Sequence, residues 1–258
     1  MIKKKYAGHG FRQWLKGTAV VLTGLLVLSV SGCKNLQKPN AQQTIKILTF
    51  GDSITRGVRE GVKETQTFTY YLGVFLSKNS FHVGMIKKGI SGETTSGALN
   101  RIEHDVIRVK PDYVTIMYGT NDAFIDNYAN ETGHVPRISI ERYKKNLQAI
   151  VQKLRANHIK PILMTPIPMG RFWGSDVGIY KQKGINFKLT EYVEAVRDTA
   201  QKENIPLVDH FNEWLKWKKR GKDIDTWMTD GIHPNPRGHR FMAATIFKVL
   251  KKSLLNYK

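Results

Sequence analysis

Residues Ile45 to Gly57 read IKILTFGDSITRG, and the predicted architecture of the chain rests on this stretch. Its first six residues form a mostly apolar run typical of a buried β-strand, which ends abruptly at Gly51-Asp52-Ser53. Because glycine lets the backbone turn sharply, the sequence predicts that Ser53 lies on a turn just beyond the strand. Ligands of open α/β sheets bind beyond the carboxyl ends of the strands, so a serine there would face a ligand. Gly, Asp and Ser also favour ordinary turns, and a plain turn is therefore the alternative.

Strand-like and helix-like patterns alternate along the rest of the chain. The predicted strands are Ile45–Phe50, Phe81–Ile86, Tyr113–Met117, Pro161–Thr165 and Ile205–Val208. The predicted helices are Phe68–Ser77, Ser96–Val109, Ile138–Asn157, Thr190–Glu203 and Pro236–Leu255. Strands separated by helices form parallel sheets with helices on both faces. We therefore expect one three-layer α/β/α domain over residues 44–258, with a parallel five-stranded sheet.

Composition and charge limit the class of protein. The chain has 258 residues, of which 41% are hydrophobic and 24% charged, as in one globular domain. The formal net charge of +20 favours contact with anionic membranes, anionic wall polymers or nucleic acid. No basic motif is interleaved with aromatic residues, and the lysines are spread over predicted surface helices. We therefore expect a solvated basic surface and no nucleic-acid partner, while the oligomeric state stays open.

The N-terminal region has the features of a targeting segment. A basic region precedes the apolar run TAVVLTGLLVLSV at residues 18–30, which has the length of a signal-peptide core and is short for a membrane span. The run leads into Val30-Ser31-Gly32-Cys33, which resembles a bacterial lipobox, in which the cysteine becomes the lipidated first residue. Cys33 is the only cysteine of the chain, so it has no intramolecular disulfide partner.

This resemblance implies a lipoprotein signal peptide at residues 1–32 and a lipid anchor at Cys33. Residues 33–43 are mostly polar, and we interpret them as a tether. Two acyl chains suffice for stable anchoring, so the predicted location is the extracytoplasmic face of the cell membrane. A plain secretory peptide, or an N-terminal anchor helix with an incidental cysteine, is the alternative.

Three further motifs stand where strand-end loops are expected. GISGETT occupies residues 89–95 after the second strand, GTND occupies residues 119–122 after the third, and DGIHPN occupies residues 230–235 before the last helix. Gly, Asn and Asp also populate ordinary loops, so each motif alone is weak evidence. Their order and their common position at predicted carboxyl ends favour one shared site.

Together with GDSITRG, these motifs resemble the four sequence blocks of the SGNH (GDSL) hydrolase family, from the first strand to the last helix. The resemblance implies a flavodoxin-like α/β/α fold and an esterase that uses no cofactor. It implies that Ser53 is the nucleophile, with Asp230 and His233 as its acid and base. Gly92 and Asn121 match the glycine and asparagine that complete the family's oxyanion hole.

Two departures from the family pattern are small. Glu93 stands where the family often has Asp, and Lys88 stands where it often has Asn. Neither replaces a residue of the chemistry.

Acyl transfer needs these residue types on chemical grounds as well. A serine hydroxyl is a poor nucleophile near neutral pH, so Ser53 needs a base such as His233 within hydrogen-bond reach. Asp230, three residues before the histidine, can hold the other imidazole nitrogen. The oxyanion needs fixed donors, which the amides of Ser53 and Gly92 and the side chain of Asn121 would provide.

Several of these residues also have an interpretation as ordinary structural residues. Asn121 is suited to capping a turn or a helix, and Gly92 has a nearby competitor in Gly89. We expect Asp52 to make local turn hydrogen bonds and not to act as a second acid. His233 and His239 stand six positions apart without a Cys, Asp or Glu set at ligand spacing, so no metal site is predicted.

The segment Pro166–Gly184 is longer than most connections and carries Met169, Phe172, Trp173, Ile179 and Tyr180. It either walls the acyl pocket or forms a surface loop.

The predicted function is a membrane-anchored serine esterase acting on acyl esters, with short-chain or carbohydrate acetyl esters favoured. A lysophospholipase or lipase is the alternative within the same chemistry, because the motifs do not identify the substrate. A noncatalytic surface-binding lipoprotein is the alternative of another class.

Overall fold

The structure is a computed structural model and describes residues 44–255. The predicted signal peptide, Cys33 and the predicted tether lie outside the described residues. Within residues 44–255, no helix combines the length and the apolar character needed to cross a bilayer.

The strands form one parallel sheet, as predicted. They are β1 (Ile45–Gly51), β2 (Val83–Gly89), β3 (Tyr113–Met117), β4 (Lys160–Met164) and β5 (Leu207–Val208), and their order in the sheet is β2-β1-β3-β4-β5. This is the flavodoxin-like order. The fifth strand is shorter than predicted, and Pro206, which lacks an amide hydrogen to donate, lies just before it.

The five predicted helices are present, with small shifts at their ends. The described α-helices are α1 (Ser53–Arg56), α2 (Phe68–Lys78), α3 (Thr95–Ile102), α4 (Thr120–Ala123), α5 (Ile140–Ala156), α6 (Gly178–Lys183), α7 (Phe187–Lys202), α8 (His210–Lys219) and α9 (Pro236–Leu255). A π-helical turn at Glu103–Ile107 continues α3, and 3₁₀ turns lie at Glu64–Gln66 and Ile224–Trp227. Helix α8 was not predicted, although its buried Phe211 and Trp214 stand at helical spacing.

Two hydrophobic clusters cover the two faces of the sheet. Successive side chains of a strand point to opposite faces, so Leu48 and Phe50 of β1 join the cluster that contains α3, α5 and α7. Ile47 of the same strand joins the other cluster, which contains α2 and α9. The predicted three-layer arrangement is therefore confirmed, with the central strands buried on both faces.

Three strand ends meet at one place on the carboxyl edge of the sheet. Gly51 of β1 pairs in register with Gly89 of β2 and with Met117 of β3. A Cβ on Gly89 would lie 2.1 Å from the backbone nitrogen of Arg56, so only glycine allows α1 to pack against the end of β2. The residues that follow these three strands are consequently neighbours.

Candidate active site

Ser53 is the first residue of α1, which is separated from β1 by Asp52 alone. The preceding residue, Asp52, caps this helix, and its Oδ1 accepts a hydrogen bond of 2.9 Å from the amide of Ile54. As the first helical residue, Ser53 has an amide without a carbonyl partner inside the helix. Its Oγ lies 2.9 Å from Nε2 of His233. The strand end and the short helix thus present the hydroxyl to an imidazole.

The carboxylate of Asp230 folds back on the loop that carries His233. Its Oδ1 accepts hydrogen bonds from the amides of Ile232 at 3.1 Å and His233 at 2.9 Å, and its Oδ2 lies 2.8 Å from Nδ1 of His233. Burial alone would raise the pKa of Asp230, but these hydrogen bonds hold it well below its ordinary value. Asp230 is therefore a carboxylate at neutral pH, in the position to orient the imidazole.

The loop of residues 228–235 is held by bonds at both ends. The amide of Thr229 donates to the carbonyl of His233 at 2.8 Å, and the amide of Asn235 donates to the carbonyl of Trp227 at 2.8 Å. Gly231, at φ 79°, sits so close to the segment 166–184 that a Cβ on it would lie 2.0 Å from the carbonyl oxygen of Arg171. Only glycine permits this approach, which packs the loop against the segment 166–184.

Asn121 lies in α4, just after the end of β3, and its side-chain amide is held at both ends. Its Nδ2 donates to the carbonyl of Glu93 at 3.1 Å and lies 3.4 Å from Oδ2 of Asp52. Its Oδ1 accepts a hydrogen bond of 3.2 Å from Nη1 of Arg137. Arg137 in turn binds the carboxylate of Asp126. The orientation of the amide is therefore determined by its surroundings.

Gly92 lies in the turn that follows β2, with φ 76°. This conformation favours glycine, although a Cβ there would meet no atom within 4 Å. Its competitor Gly89 is needed for packing against α1. Gly92 is not among the residues that line the cavity described below.

Arg101 braces the three strand ends from below the site. Its Nη2 donates to the carbonyl oxygens of Gly51 at 3.2 Å and Lys88 at 3.1 Å, and to the hydroxyl of Tyr118 at 2.9 Å. Its Nε donates to both carboxylate oxygens of Glu93, at 2.7 and 2.8 Å. Glu93 therefore forms an ion pair with a largely buried arginine.

Two carboxyl groups are buried beneath the site. Asp52 and Asp122 are 1% and 0% exposed, respectively. Burial raises the pKa of Asp52 to about 7 and that of Asp122 to about 6. Asp52 accepts the expected local hydrogen bond from the amide of Ile54, and its Oδ2 also lies 3.4 Å from Nδ2 of Asn121, which is distant in sequence.

A cavity of about 240 Å³ opens beside the serine hydroxyl. It is lined by Ser53, Thr120, Asn121, Phe124, Asp126, Arg137, Trp173, Ile232 and His233. Its volume is smaller than the roughly 300 to 1,000 Å³ of pockets for drug-sized ligands.

Trp173 brings the segment Pro166–Gly184 to the cavity. The side chain is 69% exposed, and its ring lies 5.3 Å from the ring of Tyr128. Met169, Phe172, Ile179 and Tyr180 of the segment are buried, and α6 forms within it. The interpretation as a plain surface loop is therefore wrong, because this segment packs into the core and contributes a wall of the cavity.

Two arginines at the site were missed by the sequence reading. Arg137 contacts Asn121, and Nη2 of Arg59 lies 2.9 Å from Oδ2 of Asp230. Neither belongs to a motif or a hydrophobic repeat, and each meets its partner only after folding.

No group of three or more His, Cys, Asp or Glu side chains in residues 44–255 is arranged to hold a metal ion. His239 is buried, its Nδ1 accepts a hydrogen bond of 3.3 Å from the amide of Phe68, and burial lowers its pKa to about 3. It is a structural residue of the core.

Residues 49–241 match the family model described as the GDSL-like Lipase/Acylhydrolase family. An uncharacterized lipoprotein of Bacillus subtilis, YqeF, is 29% identical over 239 residues, which are 86% of this chain and 93% of that protein. The isoamyl acetate-hydrolyzing esterase 1 homolog of Rattus norvegicus is 27% identical over 223 residues, which are 81% of this chain and 82% of that protein.

A solved structure extends this similarity to three dimensions. The crystal structure of the acetyl xylan esterase AlAXEase matches with a TM-score of 0.63 and 28% identity, over 79% of this chain and 98% of that one. The sequence matches and the structural match therefore cover most of the same domain.

Proposed function

We propose a mechanism and a substrate class from one premise: the chain belongs to the GDSL-like lipase/acylhydrolase family and is an ester-hydrolysing enzyme. In this proposal Ser53 attacks the ester carbonyl carbon, and an acyl-enzyme on its Oγ is the intermediate. The observation that carries the proposal is the continuous contact from Ser53 Oγ to His233 Nε2 at 2.9 Å and from His233 Nδ1 to Asp230 Oδ2 at 2.8 Å.

The proton follows the same contacts. His233 takes the hydroxyl proton of Ser53 as the new C–O bond forms, and it gives that proton to the alcohol as the ester C–O bond breaks. Water then attacks the acyl-enzyme, with His233 again taking a proton and returning it to Ser53. One ester and one water become one alcohol and one carboxylic acid, and Asp230 stabilises the imidazolium at both stages.

The oxyanion of each tetrahedral intermediate is proposed to bind the amides of Ser53 and Gly92 and the side chain of Asn121. The role as an oxyanion donor is best supported for Asn121, since this residue lines the cavity and its amide is held in one orientation. One of its Nδ2 hydrogens is engaged by Glu93, and only the 3.4 Å contact to Asp52 competes for the other. For Gly92, the only support for this role is its position in the turn after β2.

Short acyl groups are the proposed substrates, in particular acetyl esters of carbohydrates. The small cavity leaves little room for a long acyl chain, and the exposed ring of Trp173 offers a flat apolar surface to an alcohol group such as a sugar. The similarity to an acetyl xylan esterase and to an isoamyl acetate-hydrolyzing esterase homolog supports an acetyl preference.

The proposed location is the outer face of the cell membrane, through a lipid on Cys33. The lipobox-like sequence and the similarity to a B. subtilis lipoprotein support this. The substrates would then be esters on lipids or on wall-associated glycans near that surface.

The test of the chemistry combines active-site labelling with a graded substrate panel. A fluorophosphonate probe is expected to label the wild type and not Ser53→Ala, and mass spectrometry identifies the labelled peptide. On nitrophenyl esters from acetyl to palmitoyl, kcat/KM is expected to be highest from C2 to C4 and to fall beyond about eight carbons, although each further buried CH₂ can add ~0.8 kcal/mol of binding. Activity that rises through C12 and C16 would favour a lysophospholipase. A wild type without label or turnover would favour a noncatalytic binding lipoprotein.

The anchor is tested separately in cells. Metabolic labelling with an alkyne analogue of palmitate is expected to mark the wild type and to leave Cys33→Ser unlabelled. Equal labelling of the two proteins would overturn the lipobox interpretation and leave the esterase chemistry untouched.

A further inference from the structure

Asp230 has a second partner that belongs to the nucleophile's own segment. Oδ2 of Asp230 lies 2.8 Å from Nδ1 of His233 and 2.9 Å from Nη2 of Arg59. Arg59 stands six residues after Ser53 in the sequence. We infer that Arg59 is a positioning residue that holds the carboxylate of Asp230 against His233; this inference rests on the proposed function of the triad.

Backbone hydrogen bonds hold the main chain of Arg59 independently of the contact that its side chain makes. Its amide donates to the carbonyl of Val62 at 3.2 Å, and its carbonyl accepts from the amide of Val62 at 2.9 Å, which makes a tight turn. Gly61, at φ 77°, occupies the turn conformation that glycine adopts readily. Val62 is 2% exposed and anchors the turn in the hydrophobic core. The guanidinium therefore projects from a rigid base.

Asp230 needs an external partner because its own loop satisfies only part of the carboxylate. Both amides that it binds, those of Ile232 and His233, donate to Oδ1. Oδ2 is left to the imidazole and to Arg59, while 37% of the side chain is exposed. The guanidinium occupies a position where water would otherwise compete with the imidazole for Oδ2, and its charge favours the ionised carboxylate.

The contact between Arg59 and Asp230 also completes a ring of contacts between the segment that carries Ser53 and the loop that carries His233. Ser53 binds His233, His233 binds Asp230, Asp230 binds Arg59, and Arg59 returns through the chain to Ser53. The loop of residues 228–235 is thereby held at two points to residues 53–59, through the imidazole to Ser53 of α1 and through the carboxylate to Arg59. A shift of this loop would lengthen the contact between nucleophile and base, and displacements of about 1 Å can cost a factor of 10² in rate.

If Arg59 had a purely structural role, its loss would destabilise the fold, and we do not expect this. Half-exposed ion pairs contribute little to the free energy of unfolding, so the loss of Arg59 should leave the thermal unfolding midpoint nearly unchanged. The neighbouring Arg56 does not share the role, since its Nη1 donates to the hydroxyl of Ser91 at 3.0 Å. The expected effect of Arg59 is therefore on turnover and not on folding.

The experiment is a double-mutant cycle on hydrolysis of p-nitrophenyl acetate by the full-length protein in detergent. Arg59→Gln is expected to lower kcat about 5- to 30-fold with KM changed less than about twofold, because the group acts on the base and not on substrate binding. Arg59→Lys, which keeps the charge, should recover most of this loss. In the Asp230→Asn background, Arg59→Gln should cost less than about a further twofold, because its target is gone.

The matched control is Arg155→Gln, which removes an ion pair to Glu203 at the opposite edge of the sheet and should leave kcat unchanged. The inference is overturned if Arg59→Gln retains wild-type kcat, if it raises KM alone, or if its full effect persists in the Asp230→Asn background. Failure of the proposed function has a different signature, namely a wild type without turnover or an Asp230→Asn variant with wild-type kcat. Both of those results would also overturn the role of Arg59.

Discussion

The two halves of the site are held in different ways. Ser53 lies in α1 and Asn121 in α4, the short helices that follow β1 and β3, and the side chains of these two central strands are mostly buried. Asp230 and His233 lie on a loop without helix or strand, which is held by turn hydrogen bonds and by contacts to neighbouring segments. We call these the strand half and the loop half of the site.

The difference concerns how each half keeps its geometry. In the strand half, the backbone of the sheet and the brace by Arg101 determine where the hydroxyl and the amide point. In the loop half, the position of the imidazole depends on side-chain contacts in series, because Asp230 contacts His233 and Arg59 contacts Asp230. We therefore expect the strand half to tolerate conservative changes around it and the loop half to be sensitive to changes in its supports.

The largest expected effect on kcat comes from removing Ser53 or His233, the two residues through which the halves contact each other. Ser53→Ala and His233→Ala should each lower kcat by roughly three to six orders of magnitude, because nucleophile and base act as a unit. The double variant should be scarcely slower than either single variant. Single-turnover and steady-state assays on p-nitrophenyl acetate measure this, and near wild-type turnover of His233→Ala would remove its assignment as the base.

The next effect compares one residue of each half. Asn121→Ala should lower kcat by about 10² to 10³ with KM comparatively unchanged, since an oxyanion donor acts mainly in the transition state. Asp230→Asn should cost less than His233→Ala, about 10- to 100-fold, because the asparagine Oδ1 still accepts the hydrogen bonds of the loop amides. Steady-state kinetics of the two variants decide the comparison. An increase in KM alone for Asn121→Ala would make it a binding residue.

The strand half was largely predictable from the sequence. The apolar run before Gly51 and the alternation of strands and helices lead directly to Ser53 at a strand end, and these are local patterns. The fold class, the family and the ester-hydrolysing activity are confirmed. The assignments of the individual catalytic residues stay predictions, as do the anchor at Cys33 and the domain boundaries.

The loop half was predictable only through the resemblance of DGIHPN to a family motif. No local pattern indicates that Asp230 meets Arg59, which is 171 positions earlier in the chain, or that Arg137 meets Asn121. These contacts depend on how segments distant in sequence pack, and an arginine in a polar stretch has no signature that distinguishes it from a solvated one. The same reason applies to the cavity wall at Trp173, for which the sequence left two interpretations open.

The smallest expected effect is on the pH dependence of the free energy of unfolding, to which one carboxyl group of each half contributes differently. Asp52 lies under the strand half, where burial raises its pKa to about 7, whereas hydrogen bonds in the loop half hold the pKa of Asp230 well below its ordinary value. A group with a raised pKa in the folded state binds more protons folded than unfolded between about pH 4 and pH 7. Stability contributed by Asp52 is therefore present at low pH and is lost as the pH rises through that window.

Asp230 has the opposite sign: its contribution is present above its ordinary pKa and is lost only in strong acid, so it does not change between pH 5 and pH 8. Asp52→Asn keeps an acceptor for the amide of Ile54 and removes the charge. We expect it to flatten the fall in the free energy of unfolding from pH 5 to pH 8 by about 1 to 3 kcal/mol. Urea unfolding at both pH values measures this difference. Asp176→Asn, which changes an exposed carboxylate, is the control and should leave the slope unchanged. An Asp52→Asn variant with the wild-type pH dependence would show that the carboxyl beneath the strand half ionises as freely as one in the unfolded chain.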